Sequence, residues 1–251
     1  MNPKLNLTKD PISKLIKKIA LPASVGTFFQ TMFNVVDTFF AGKISPEALS
    51  ALAKSFPIYF IIIAACVGVT VGGTSLIANS IGENNKERIL DYFSQTIIYG
   101  FLVSILITII GLVFSPMLFN LISSDEQFVL LGLKYTNIIF AGSIVFITVV
   151  ALNSLLHAEG DTKTYRNVLI VSFLLNIILN PLFIFGYGFV PPMGIAGIGF
   201  ATIVAQFIGL LIIFNKIIKS SRIKNIQIIN FYPKIYYLKN LFNKRELNAQ
   251  S

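Results

Sequence analysis

Hydrophobic residues in this chain gather into six long runs divided by short polar clusters. The runs cover approximately residues 19–41, 57–81, 95–121, 129–156, 167–185 and 194–218. An α-helix needs about 20 consecutive apolar residues to cross a hydrocarbon core of about 30 Å, so each run predicts a transmembrane helix. The expected fold class is an all-α integral membrane protein with six spans over 19–218. A basic tail, 1–18, precedes them and a second, 219–251, follows. The second tail interleaves Arg222 and Lys224 with Ile228, Phe231, Tyr236, Tyr237 and Phe242. That mixture cannot span, and its apolar side chains are expected at the membrane interface.

The polar clusters hold nearly all of the charge. Every Lys and Arg except Lys43, Lys54 and Lys134 lies in the first tail, in the connections after the second and fourth runs, or from Lys216 onward. Six spans return both termini to one side, and retention of basic residues on the cytoplasmic side then predicts two cytoplasmic termini in the plasma membrane. With 55% hydrophobic and 12% charged residues the composition excludes an ordinary soluble domain, in which roughly 25% of residues are charged. The net charge of +9 follows from the positive-inside bias and from attraction to anionic lipid, so no nucleic-acid partner is expected. Cys66 is the only cysteine, which leaves neither a disulfide framework nor a cysteine metal cluster. Lys4, Lys9, Lys14, Lys17 and Lys18 precede a first run too long for a signal peptide, so cleavage is not expected.

Within the spans one acid is found, Asp37, and an intramembrane carboxylate is costly enough to suggest function by itself. Thr27, Gln30, Asn34 and Asp37 follow helical steps of three and four, with Thr38 beside them. Span five repeats the pattern with Ser172, Asn176 and Asn180, and span six with Gly199, Thr202, Gln206 and Gly209. Counted from the outer boundary at about 1.5 Å per residue, Asp37, Asn180 and Thr202 lie about 7, 9 and 12 Å deep, in one layer where the stripes can meet. Pro181 has no N–H and frees the Ile177 carbonyl beside these amides. Such oxygens suit a hard monovalent cation or a proton network; the alternative is that the amides and hydroxyls only join helices and Pro181 is a passive kink. Gly68, Gly72, Gly73, Gly194, Gly197 and Gly199 read as close-packing positions. The chain lacks a phosphate-loop sequence and an H-E-x-x-H motif, and His157 has no nucleophile or second ligand beside it in sequence, so no enzyme and no resident cofactor are expected.

Five segments together resemble the multidrug and toxic compound extrusion (MATE) transporters. They are Ala20-Leu21-Pro22-Ala23 with Gln30, Asn34-Val35-Val36-Asp37-Thr38 and Gly42; Gly72-Gly73-Thr74-Ser75 with Ile81-Gly82; Ala158-Glu159-Gly160-Asp161-Thr162-Lys163-Thr164; Asn176 to Pro181; and Gly194-Ile195-Ala196-Gly197 with Ala201-Thr202 and Gln206. The resemblance implies one six-helix lobe of a two-lobe, twelve-helix antiporter that exports amphipathic or cationic compounds, driven by sodium or protons. It implies a cation site on Asp37, Asn176, Asn180 and Thr202, a cavity with Gln30, Asn34 and Gln206, and hinges at Pro22 and Pro181. Asn180 stands where such a site often carries a second acid, which weakens sodium binding and makes proton coupling through Asp37 comparably reasonable.

Family members are about twice this length, so a second lobe is an implied partner, either a missing half or a second copy. A fragment is the favoured reading, against a half-transporter or part of a longer protein. The competing functions are a lipid-precursor flippase, for which basic cavity residues are expected and only Lys134 is offered, and a non-transporting membrane interaction module.

Overall fold

The computed structural model describes residues 11–220, 222–223, 227–234 and 236–237 of the chain. Its elements are α1 (Ile12–Leu15), a π-helical turn (Ile16–Ala20), α2 (Leu21–Ile44), α3 (Pro46–Gly82), α4 (Lys86–Ile122), α5 (Glu126–Ala141), α6 (Ser143–Ala158), α7 (Thr162–Phe185), α8 (Ile195–Ile218) and a 3-10 turn (Ile228–Phe231). Five continuous helical stretches are long and apolar enough to cross a membrane, and α5 with α6 forms a sixth. Lys224 and Phe242 of the second tail, and Lys4 and Lys9 of the first, lie outside the described residues.

Several helices begin well before their apolar runs. The reason is capping, which satisfies the N–H groups that a helix start leaves open. Ser45 accepts from the Ala48 N–H at 3.1 Å and starts α3 at Pro46; Asn85 accepts from Arg88 N–H at 3.1 Å and starts α4 at Lys86. Asp125 and Asp161 cap α5 and α7 in the same way, accepting from Gln127 and Thr164 at 3.0 Å. The first span also begins early, at Ile12, inside the stretch taken as a tail. Its π-helical turn ends where the Leu21 N–H reaches back to the Ile16 carbonyl, immediately before Pro22. Because Pro22 offers no N–H to the preceding turn, the wider register absorbs the missing bond.

The fourth run, expected as one straight helix, is broken at Gly142 and bends by 41°. A Cβ at Gly142 would stand 2.2 Å from the Ile203 side chain, so glycine lets α8 approach the break. Hydroxyls from α4 and α6 serve the opened backbone: Thr108 donates to the Phe140 carbonyl at 2.8 Å and lies 2.8 Å from Ser143 Oγ, which donates to the Ser104 carbonyl at 3.2 Å. Non-helical backbone at membrane depth survives only with such internal partners.

α2 lies against α7 and α7 against α8, while α3 and α4 pack with α5 and α6, which in turn meet α8. Gly73 and Gly197 do sit at close approaches, to Thr96 and to the Phe183 backbone, but Gly68 faces open space and packs nothing. The loop before α8 turns at Gly186, whose φ of 75° is left-handed and whose Cβ would collide with Val190 and Pro192. Two apolar clusters fill the ends of the bundle, one around Ala41, Leu52 and Ile198, the other around Ile77, Phe93 and Ile213.

Candidate functional site

Two helices, α7 and α8, bring polar side chains to a single carboxylate on a third, α2. Asp37, 5% exposed, is the only buried acid among the described residues. From α7, Asn176 Nδ2 and Asn180 Nδ2 both donate to Asp37 Oδ1, at 2.8 and 2.9 Å. From α8, the Thr202 hydroxyl donates to Oδ2 at 3.1 Å. The helical period explains the arrangement: Asn176 and Asn180 are one turn apart on α7, so one oxygen of Asp37 can face both. The crossing of α2 over α7 is tight at Gly26, whose Cβ would lie 3.4 Å from the Arg166 Cα.

The donors are arranged for a negative charge, and each carboxylate oxygen is covered by at least one of them. The Oδ1 atoms of Asn176 and Asn180 are themselves buried and have no hydrogen-bond partner. Half a rotation of either amide exchanges its nitrogen for that oxygen. One carboxylate, two unpartnered amide oxygens and a hydroxyl form a donor set that fits a small hard cation, and the same carboxylate can take a proton. No group of three or more His, Cys, Asp and Glu gathers among the described residues, so a cation here would rely on neutral oxygens beside Asp37.

A cavity opens beside this cluster. Gln30, Asn34 and Gln206 line it with Asp37 and Thr202, as the helical stripes suggested. Three further polar residues, Ser55, Tyr59 and Tyr135, share the lining with the aromatic walls Phe33, Phe56 and Phe146. Sequence reasoning passed over Tyr59 and Tyr135 because they lie in apolar runs where a tyrosine resembles core, and over Ser55 because it lies in the connection just before the second run. The signal was available in the spacing of Ser55 and Tyr59, four residues apart on one helix face.

Other members of the stripes go elsewhere. Thr27 and Thr38 donate to carbonyls in their own helix, Ala23 at 3.2 Å and Asn34 at 2.9 Å, and stay out of the carboxylate cluster. A hydroxyl satisfied one turn back is the ordinary fate of threonine in a helix. Ser172 donates to the Ala205 carbonyl at 3.3 Å and ties α7 to α8. Pro181 follows Asn180 within α7, and Pro22 is buried at the start of α2. His157 lies half-buried in the last turn of α6, edge-on to Tyr165 at 5.8 Å.

Residues 22–182 match the family model described as MatE. Among sequence relatives, the probable multidrug resistance protein NorM of Thermotoga maritima is 30% identical over 79% of this chain and 43% of its own length. A FAD transporter of Shewanella oneidensis is 27% identical over 84% of this chain and 46% of its own. Among solved structures, an outward-facing multidrug resistance MATE family transporter of the MOP superfamily superposes with a TM-score of 0.84 at 27% identity, covering 96% of this chain and 53% of that one. The chain thus spans about half the length of the relatives it matches.

Proposed function

This chain belongs to the MatE family of membrane transporters, and on that premise we propose that it is one lobe of a cation-coupled antiporter that exports amphipathic or cationic compounds. The observation that carries the reading is the grip of three neutral donors on Asp37 at the edge of a part-aromatic cavity. Those donors are oriented toward a carboxylate. Neutralising Asp37, by a proton or by a sodium ion held with Asn176, Asn180 and Thr202, removes the charge that orders them. α2 is then released from α7 and α8 and can pivot where its backbone is already irregular, at the π-helical turn and Pro22. A bound compound leaning on Gln30, Asn34 and Gln206 loses its wall when α2 moves. Export follows when the ion and the compound compete for the same arrangement of helices.

The distribution of basic residues supports a cytoplasmic position for both termini. Gln30, Thr27 and Thr31 are exposed on α2 at membrane depth, where lipid is a poor partner, so this face is read as turned toward a second lobe. That lobe is a second copy of this chain or a separate half.

Efflux of a fluorescent organic cation, measured in cells expressing this chain, tests the reading. Efflux that disappears in Asp37→Asn and on collapse of one gradient supports coupling at Asp37 and identifies the ion. Efflux unchanged by Asp37→Asn rejects the mechanism, and absence of efflux from well-inserted chain points to a lobe that needs a second lobe to work.

A further inference from the structure

Beyond α8 the chain turns back and lies along the start of α4. Gln95, 1% exposed, serves three backbone groups there: its Nε2 donates to the carbonyls of Asn230 and Tyr232 at 3.0 and 2.8 Å, and its Oε1 accepts from the Lys234 N–H at 2.9 Å. Asp91, one turn earlier, accepts from Asn230 Nδ2, Lys234 Nζ and the Tyr237 hydroxyl, each at 2.8 Å. Tyr99, one turn later, donates to the Lys234 carbonyl at 3.0 Å. Tyr237 also meets the Tyr92 ring edge-on at 4.7 Å. Burial and the Asp91 carboxylate push the Tyr237 hydroxyl above its ordinary range, which keeps it protonated as a donor. Nearer α8, Arg222 pairs with Glu159 at the end of α6 at 2.7 Å.

The opposite edge of this segment is aromatic and uncovered. Phe231, Tyr232 and Tyr236 are exposed, at 39%, 67% and 62%. Their level is fixed by the clasp, because Asp91, Gln95 and Tyr99 bracket the point where the apolar part of α4 begins. With the span read from the sequence as starting at residue 95, that point falls at the boundary between hydrocarbon and headgroups. Aromatic rings with polar tips favour this layer, and the exposed Lys219 adds positive charge suited to anionic lipid, whereas Arg222 and Lys234 are already paired with Glu159 and Asp91.

We propose that residues 227–234 and 236–237 form an interfacial anchor, clasped on one edge by Asp91, Gln95 and Tyr99 of α4 and seated by Phe231, Tyr232 and Tyr236 in the lipid headgroup layer. The anchor fixes the heights of α4 and α8 relative to the bilayer surface, independently of what the protein transports.

The chain contains no tryptophan, so single reporters are clean. Tyr232→Trp and Tyr236→Trp are prepared in the full chain and reconstituted into vesicles of phosphatidylcholine with phosphatidylglycerol. Phe101→Trp, on a lipid-facing turn of α4, verifies insertion through deep-placed brominated lipid. The expected result for both reporters is blue-shifted emission, quenching by headgroup-level lipid labels and acrylamide quenching several-fold weaker than for free tryptophan. Acrylamide quenching equal to that of free tryptophan overturns the proposal. So does protection without quenching by lipid labels, which would show cover by another protein surface. In Asp91→Asn with Gln95→Ala the reporters are expected to lose their protection; unchanged lipid quenching would overturn the clasp.

Discussion

Asn180 of α7 donates to Asp37 of α2 across 2.9 Å, joining positions 143 residues apart in the chain. A neutral amide holds a buried carboxylate here, so the site carries a single negative charge. Asn180→Asp places a second carboxylate in the same contact, and two such groups cannot both ionise without a counter-charge. The variant is expected to melt lower than the parent in potassium buffer and to recover more in sodium than in added potassium. Equal recovery in the two salts would count against a cation site.

Asn180→Leu removes a donor without adding charge. Asp37 Oδ1 keeps Asn176 alone, and the loss is expected to be about 1–3 kcal/mol, the usual effect of leaving a buried polar group short of a partner. Denaturant unfolding in detergent measures it, and a change below a few tenths of a kcal/mol would show that Asn180 is not needed to satisfy the carboxylate.

Gly142→Ala drives a methyl group into the Ile203 side chain. Overpacking of this kind costs about 1–3 kcal/mol, and part of that is recovered when the neighbour shrinks. The double variant with Ile203→Ala is expected to be less destabilised than the two single changes added together. Strict additivity in that cycle would mean that the side chains do not meet.

Pro22→Ala restores an N–H near the π-helical turn and favours a regular α-helix from Ile12 onward. Stability is expected to rise or hold while efflux falls, because the irregular joint is lost. Melting temperature and efflux measured on the same preparation test this; equal efflux would remove Pro22 from the mechanism.

Glu159→Gln breaks the pair with Arg222, whose side chains are 21% and 37% exposed. Pairs this accessible contribute about 0–1 kcal/mol, so a small fall in melting temperature is expected, less than that of Asn180→Leu.

The carboxylate cluster was legible in the sequence because Asp37, Asn176, Asn180 and Thr202 are polar residues at helical spacing in otherwise apolar spans. Their meeting required only that the spans cross at equal depth. Tyr59 and Tyr135 escaped notice since hydropathy counts a tyrosine in an apolar run as core, and Ser55 since it stands in the connection before the second run. The break at Gly142 was hidden for a related reason: the run is apolar on both sides, and what bends it is the approach of Ile203 from a distant helix. Thr27 and Thr38 illustrate the opposite error, since a position on the right face says nothing of whether the hydroxyl is already satisfied one turn back. The clasp on Asp91 and Gln95 depends on a chain reversal after α8 that no periodicity encodes.

The π-helical turn at Ile16–Ala20 holds one surplus residue relative to an α-helix with the same contacts at either end. If that surplus is drawn into regular α geometry, everything beyond it advances by one helical position, a screw motion of about 100° and 1.5 Å. Asp37 would then point to a different neighbour without any of its own local hydrogen bonds in α2 being broken. Such a shift would gear a single misfit turn at one end of the span to the orientation of a buried carboxylate toward its other end.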